Sequence, residues 1–198
     1  MHATKLIILG RDGILNKYRE DHVKAPAEWV PIPGALEAVA RLNHAGWHVV
    51  VATNQAGIGR GLIDMAAVNA VHVHMNQMLL AQGGRLDAVF FCPHTPEDGC
   101  SCRKPLPGMM RDIGQRYGVD LQTVPMVSDT LRDLQAAEAA GCEPHLVRSG
   151  RAAALGPEQV QQVLDKVPGA RAHADLGAFA AHLLRRDHVD LSTLGSLA

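Results

Sequence analysis

Lys5-Leu6-Ile7-Ile8-Leu9-Gly10-Arg11-Asp12-Gly13 is a continuous apolar run that stops at glycine and charge. An unbroken run of this length, without polar alternation, suits a strand buried on both faces, the kind found in parallel sheets covered by helices. Working outward, the pattern recurs at Trp47–Ala52, Ala88–Phe91, Val124–Val127 and Pro144–Val147. Between these runs lie segments with helical spacing. Gly34–Ala45 follows a Pro-x-Pro-Gly start, Met65–Gln82 carries apolar residues three and four apart, and Gly108–Tyr117 and Leu131–Ala140 are followed by Gly118 and Gly141, both suited to C-cap positions. Strand and helix in alternation predict right-handed crossovers and one doubly wound parallel α/β sheet, Rossmann-like in outline.

Composition agrees with that fold. The 198 residues are 47% hydrophobic but only 4% aromatic, so the core must be built from Val, Leu, Ile, Ala and Met. No Pro/Ser-rich linker, repeat or low-complexity stretch divides the chain. A single domain is expected over residues 1–186, with no large inserted cap, closed by an amphipathic helix over Asp175–Arg185 and followed by a loosely ordered tail at 187–198. A formal net charge of −1 lacks the concentrated basic face of a nucleic-acid binder. No membrane partner is expected, because Leu6–Leu9 is too short for a signal segment or a span. The chain reads as a cytoplasmic, reduced monomer.

In a doubly wound sheet the ligand sits beyond the carboxyl ends of the strands, where strand order reverses. The residues after each apolar run are therefore the candidates. They are Gly10-Arg11-Asp12-Gly13, then Thr53-Asn54-Gln55, then Arg103-Lys104, then Ser128-Asp129-Thr130-Leu131-Arg132-Asp133. Any one such cluster is as readily a turn or a helix cap. Four on one sheet edge point to a shared site.

The third strand leads into Cys92-Pro93-His94 and then Cys100-Ser101-Cys102-Arg103-Lys104. Three sulfurs and one imidazole within eleven residues form the closed ligand set of a structural zinc site. Chance clustering and a disulfide framework are the competing readings, and the fourth cysteine, Cys142, stands alone in an apolar stretch. A bound metal would fix the direction of Arg103 and Lys104, two adjacent cations suited to a phosphate.

Taken in order, Leu9-Gly10-Arg11-Asp12-Gly13, Ala52-Thr53-Asn54-Gln55, Cys102-Arg103-Lys104-Pro105 and Val127-Ser128-Asp129 resemble the four motifs of the haloacid dehalogenase superfamily of phosphatases. The Cys/His stretch, together with Thr53-Asn54-Gln55-Ala56-Gly57-Ile58-Gly59-Arg60-Gly61, is similar to the D-glycero-D-manno-heptose 1,7-bisphosphate 7-phosphatases, with histidinol-phosphate phosphatases as near neighbours. The resemblance runs from about Lys5 to Val147. It implies a magnesium-dependent hydrolysis of a phosphate monoester on a small phosphorylated sugar, with the 7-phosphate removed. Asp12 would be the general acid/base and, with Asp129, would hold magnesium. Thr53 and Asn54 would bind phosphate, Lys104 would offset its charge, and Gln55, Arg60 and Arg103 would face the substrate or its second phosphate. Zinc would be held by Cys92, His94, Cys100 and Cys102.

The family's nucleophilic aspartate falls at Gly10. Glycine can neither form an acyl phosphate nor ligate a metal. Removing a nucleophile from a serine hydrolase lowers turnover on the order of a million-fold, and a comparable fall is expected here. The other functional class consistent with Gly10 is a silent sugar-phosphate-binding or partner-interaction protein. Ile14 replaces a small residue, Ser128 a glycine, and Thr130 a lysine of the usual pattern. Among the remaining residues, His72 and His74 are expected at the surface, Met75, Met78, Met109 and Met110 as filler of core or cleft, and His44 and His48 on either side of a turn at Gly46.

Overall fold

The computed structural model describes residues 4–195, with side chains described through Asp187. The first half runs β1 (Leu6–Leu9), α1 (Ala35–His44), β2 (His48–Asn54), the single turn α2 (Ala56–Gly59), α3 (Met65–Ala81) and β3 (Ala88–Cys92). The second half runs α4 (Gly108–Tyr117), β4 (Pro125–Ser128), α5 (Leu131–Ala140), β5 (Glu143–Val147), α6 (Pro157–Asp165), β6 (Arg171–His173) and α7 (Leu176–Gly195). All strands pair in parallel, in the order β3-β2-β1-β4-β5-β6. The doubly wound sheet is thus observed, and strand order reverses between β1 and β4.

The apolar runs are explained by two cores. Along β1, Ile7 and Leu9 enter a core with α1, α3 and α7, while Leu6 and Ile8 enter one with α4 and α5. A strand with helices on both faces has no side left for polar residues, hence the absence of alternation. Trp29, Trp47, Met75 and Phe179 fill the first core, and Met109, Met110 and Met126 the second. Helix ends follow local chemistry. Gly118 and Gly141 close α4 and α5 at φ 61° and 87°, Asp64 and Thr130 cap α3 and α5 through their side-chain oxygens, and Gly46 turns at φ 85° between His44 and His48.

Two features depart from expectation. The edge strand β6 was not foreseen, because Arg171-Ala172-His173 is three residues long and partly exposed. The stretch expected as a tail beyond Arg186 continues in α7 to Gly195. Asp187 is held there, its Oδ2 accepting from Trp47 Nε1 and Lys5 Nζ, each at 2.9 Å. Residues 196–198 lie outside the described part. No described helix is long and apolar enough to cross a membrane.

Candidate active site

The four strand-end clusters meet in one cavity of about 220 Å³ beyond the carboxyl ends of β1, β2 and β4. Its walls carry Gly10, Asp12, Thr53, Asn54, Gln55, Arg60, Arg103, Lys104 and Asp129, so every residue singled out for substrate or magnesium lines it. Seven cationic side chains against four carboxylates make the cavity suited to an anion.

β1 delivers Gly10, whose N–H donates to Val127 O at 2.9 Å, and then Arg11 and Asp12. Arg11 is buried and grips Asp12 with two nitrogens, Nε to Oδ2 at 3.2 Å and Nη2 to Oδ1 at 3.1 Å. Asn16 Nδ2 and Gln55 Nε2 also donate to Asp12, each at 3.0 Å. Burial opposes the charge on Asp12, yet Arg11 and these amides hold its carboxyl below the usual range. Gln55 is itself buried and bridges Asp12 to Thr53 Oγ1 at 2.9 Å. It therefore acts on the substrate site through Asp12 and Thr53.

β2 delivers Thr53 and Asn54. Asn54 clamps the Lys104 backbone, donating to its carbonyl at 3.0 Å and accepting from its N–H at 3.2 Å, so its amide positions Lys104. Lys104 Nζ in turn donates to Ala52 O at 2.8 Å and Asp133 Oδ2 at 2.6 Å. Ser128 Oγ donates to the same Asp133 oxygen at 2.8 Å. Burial works against the Asp133 charge, but Lys104 prevails and lowers it to about 2.

Asp129 follows β4 and is buried, without an ion-pair partner among the described residues. Its Oδ2 accepts the Arg151 backbone N–H at 2.8 Å, but burial raises the carboxyl to about 6. Such a carboxylate would gain from a divalent cation beside it. The packing depends on Gly13, at φ 83°, where a side chain would collide with the Asp129 carboxylate. The resemblance implies magnesium at Asp129 and the Asp12 backbone carbonyl together with a carboxylate at position 10, which Gly10 does not supply. Gly10 has no left-handed φ, and a Cβ on it would stand 3.1 Å from Ile14 Cγ1 and 3.5 Å from Ser128 Oγ. A Cβ at position 10 thus calls for Ile14 to give by a few tenths of an ångström.

Beside the cavity, Cys92, His94, Cys100 and Cys102 place their ligand atoms within 4.8 Å of one another. The sulfurs of Cys92 and Cys102 are 3.3 Å apart, and His94 Nδ1 lies 3.5 and 3.3 Å from them. Tetrahedral zinc with Zn–S bonds of about 2.3 Å calls for sulfurs about 3.8 Å apart, close to the 3.6 and 3.7 Å that Cys100 makes with Cys102 and Cys92. The four residues thus fit a metal. Arg103 Nη1 donates to the His94 carbonyl at 3.2 Å, which ties the loop to the cavity wall.

Four participants escaped the motif pattern. His72, expected at the surface, is buried, its Nε2 3.2 Å from Arg11 Nη1 and its ring tilted on Phe91. Burial, with Arg11 alongside, lowers His72 to about 4. Nothing in helical spacing marks which histidine of α3 faces inward. Asn16, Tyr18 and Arg151 lie in loops whose paths the sequence does not give.

A HAD-hydrolase-like family model matches residues 101–170. The D-glycero-beta-D-manno-heptose-1,7-bisphosphate 7-phosphatase of Bordetella bronchiseptica is 53% identical over 182 residues, 91% of this chain and 98% of that protein. The enzyme of the same name from Pseudomonas aeruginosa is 49% identical over 75% of this chain and 84% of its own length. In structure, the D,D-heptose 1,7-bisphosphate phosphatase of B. bronchiseptica, crystallised with magnesium and phosphate, superposes with a TM-score of 0.86 at 52% identity, covering 92% of this chain and 99% of that one. With the strand-end motifs converging in one cationic cavity and the Cys/His cluster alongside, the chain belongs to the haloacid dehalogenase-like hydrolases, in the family of the heptose 1,7-bisphosphate 7-phosphatases.

Proposed function

We propose that the cavity binds D-glycero-D-manno-heptose 1,7-bisphosphate and is built to remove its 7-phosphate, and that Gly10 cuts turnover while leaving the binding site intact. The observation that carries this reading is the cavity itself. Apart from the missing carboxylate, the acid/base, the metal carboxylate, the hydroxyl and the cations converge on one space at the end of β1.

In this reading the reacting phosphate sits against the Thr53 hydroxyl and the Lys104 ammonium. Asn54 fixes the Lys104 backbone, and Asp133 fixes its side chain. Asp12, oriented by Arg11, Asn16 and Gln55, stands where it can take a proton from the attacking water and pass it to the leaving sugar oxygen. Magnesium at Asp129 and Asp12 would neutralise charge on the phosphate. Zinc at Cys92, His94, Cys100 and Cys102 would hold the loop that aims Arg103. What no residue supplies at Gly10 is the attacking oxygen, so only water can attack.

The substrate class is tested on the Gly10→Asp variant, comparing kcat/KM for heptose 1,7-bisphosphate with that for histidinol phosphate. At least about a hundredfold preference for the bisphosphate is expected, since cavity cations that meet no phosphate lose charge-assisted contacts. Equal rates would overturn the sugar assignment. Gly10 also favours a second reading, a sugar-phosphate-binding protein without turnover, which differs only in what the unaltered chain does after binding.

A further inference from the structure

Three cations of the cavity wall, Arg60, Arg103 and Arg151, have no carboxylate partner among the described residues. The first two belong to the motif segments after β2 and β3. Arg151 stands apart in the loop after β5, outside every motif, and lines the same cavity.

Its geometry is that of a prepared anion site. The guanidinium carbon lies 3.6 Å from the centroid of the Tyr18 ring. A guanidinium laid on an aromatic face keeps the N–H donors along its edge free, and the stacking restrains a side chain that would otherwise lose much rotamer freedom on binding. Tyr18 comes from the loop after β1, so the stacked pair joins two loops at the cavity. The Arg151 backbone N–H donates to Asp129 Oδ2 at 2.8 Å. One residue therefore lines the cavity with its side chain and holds the Asp129 carboxylate with its backbone.

We propose that Arg151, braced by Tyr18, is a specificity residue that binds the phosphate the reaction leaves in place. The proposal rests on the bisphosphate reading above and assigns its second phosphate to the β5 side of the cavity. It would also couple the two ends of the substrate, since the remote phosphate would meet the residue whose backbone N–H holds Asp129, the carboxylate assigned to magnesium beside the reacting phosphate.

Calorimetric titration with magnesium tests this on the Gly10 chain, where slow turnover keeps the ligands whole. Heptose 1,7-bisphosphate and heptose 7-phosphate are compared on the unaltered chain, Arg151→Gln, Arg151→Lys and Tyr18→Leu. Arg151→Gln is expected to weaken the bisphosphate at least about tenfold and the 7-phosphate less than about twofold. Arg151→Lys and Tyr18→Leu should fall between, because each keeps the charge but loses the stacked fork. The proposal is overturned if Arg151→Gln weakens both ligands equally, which would assign the effect to Asp129, or weakens neither. If the unaltered chain binds neither sugar phosphate, the bisphosphate reading fails and the proposal fails with it. If it prefers the bisphosphate and Arg151→Gln keeps that preference, the bisphosphate reading stands and the role of Arg151 does not.

Discussion

Lys104 Nζ and Asp133 Oδ2 are 2.6 Å apart, with the two side chains 2% and 7% exposed. The pair joins the segment following the Cys/His loop to the first turn of α5 and fixes the cation directly beside the cavity. Ser128 Oγ and Ala52 O complete its hydrogen bonds, so the charges are buried with partners.

Breaking one side of such a pair leaves a charge stranded in the interior. Asp133→Ala is expected to lower the unfolding free energy by about 3–5 kcal/mol, and replacing both partners by apolar residues to recover much of it. Urea unfolding checks this. A loss below about 1 kcal/mol for the single variant would mean that solvent reaches Lys104.

A second histidine group lies outside the cavity lining. His145 Nδ1 is 3.0 Å from His173 Nε2 beneath α7, and burial, with His145, His182 and Arg171 nearby, lowers His173 from 6.5 to about 4. His72 shifts the same way. At these two histidines the folded state binds fewer protons than the unfolded chain, so the stability they give above pH 6.5 is lost as pH falls towards 4, offset in part by Asp129, which is raised to about 6 and gains a proton in the same window. Thermal melts across this window should show the decline, and His173→Gln should flatten it. An unchanged slope would contradict the assignment.

Metal in the Cys/His cluster should hold the loop carrying Arg103 and Lys104. One zinc per chain is expected by elemental analysis, falling to under about a tenth in a Cys100→Ser, Cys102→Ser double variant, because a structural site needs its full thiolate set. Chelator treatment should lower the melting temperature of the unaltered chain and leave the double variant unmoved. A zinc-free native protein with the same melting temperature would remove the structural role.

At Gly10, restoring aspartate should strengthen magnesium binding more than it alters the fold. Without metal, the added carboxylate joins Asp12 and Asp129 in one cavity, so the Gly10→Asp chain is expected to melt no higher than the original. With magnesium its melting temperature should rise further than that of the Gly10 chain. Equal magnesium-induced shifts would show that position 10 does not contribute to the metal site.

The sequence made the sheet legible because burial on both faces leaves an unbroken apolar run, as at Leu6–Leu9, and glycines such as Gly118 and Gly141 mark where helices end. It left β6 hidden, since Arg171-Ala172-His173 is short, exposed and without pattern. For the candidate site, strand ends sufficed to mark Asp12, Thr53, Lys104 and Asp129, which the fold gathers on one cavity. What each neighbour does was not legible. Asn54 and Gln55 carry the right groups for a ligand but spend them on Lys104, Asp12 and Thr53, and that depends on side-chain direction. Arg151 and Tyr18 are 133 residues apart in sequence, and only the fold brings them together.

The most direct test of the account is phosphate release from D-glycero-D-manno-heptose 1,7-bisphosphate with magnesium, measured side by side on the Gly10 chain and on Gly10→Asp. The account predicts a gain of several orders of magnitude, towards a million-fold, for the aspartate form. Equal turnover by the two chains would contradict it and place the attacking group elsewhere, and no turnover by either would contradict the phosphatase reading of the cavity.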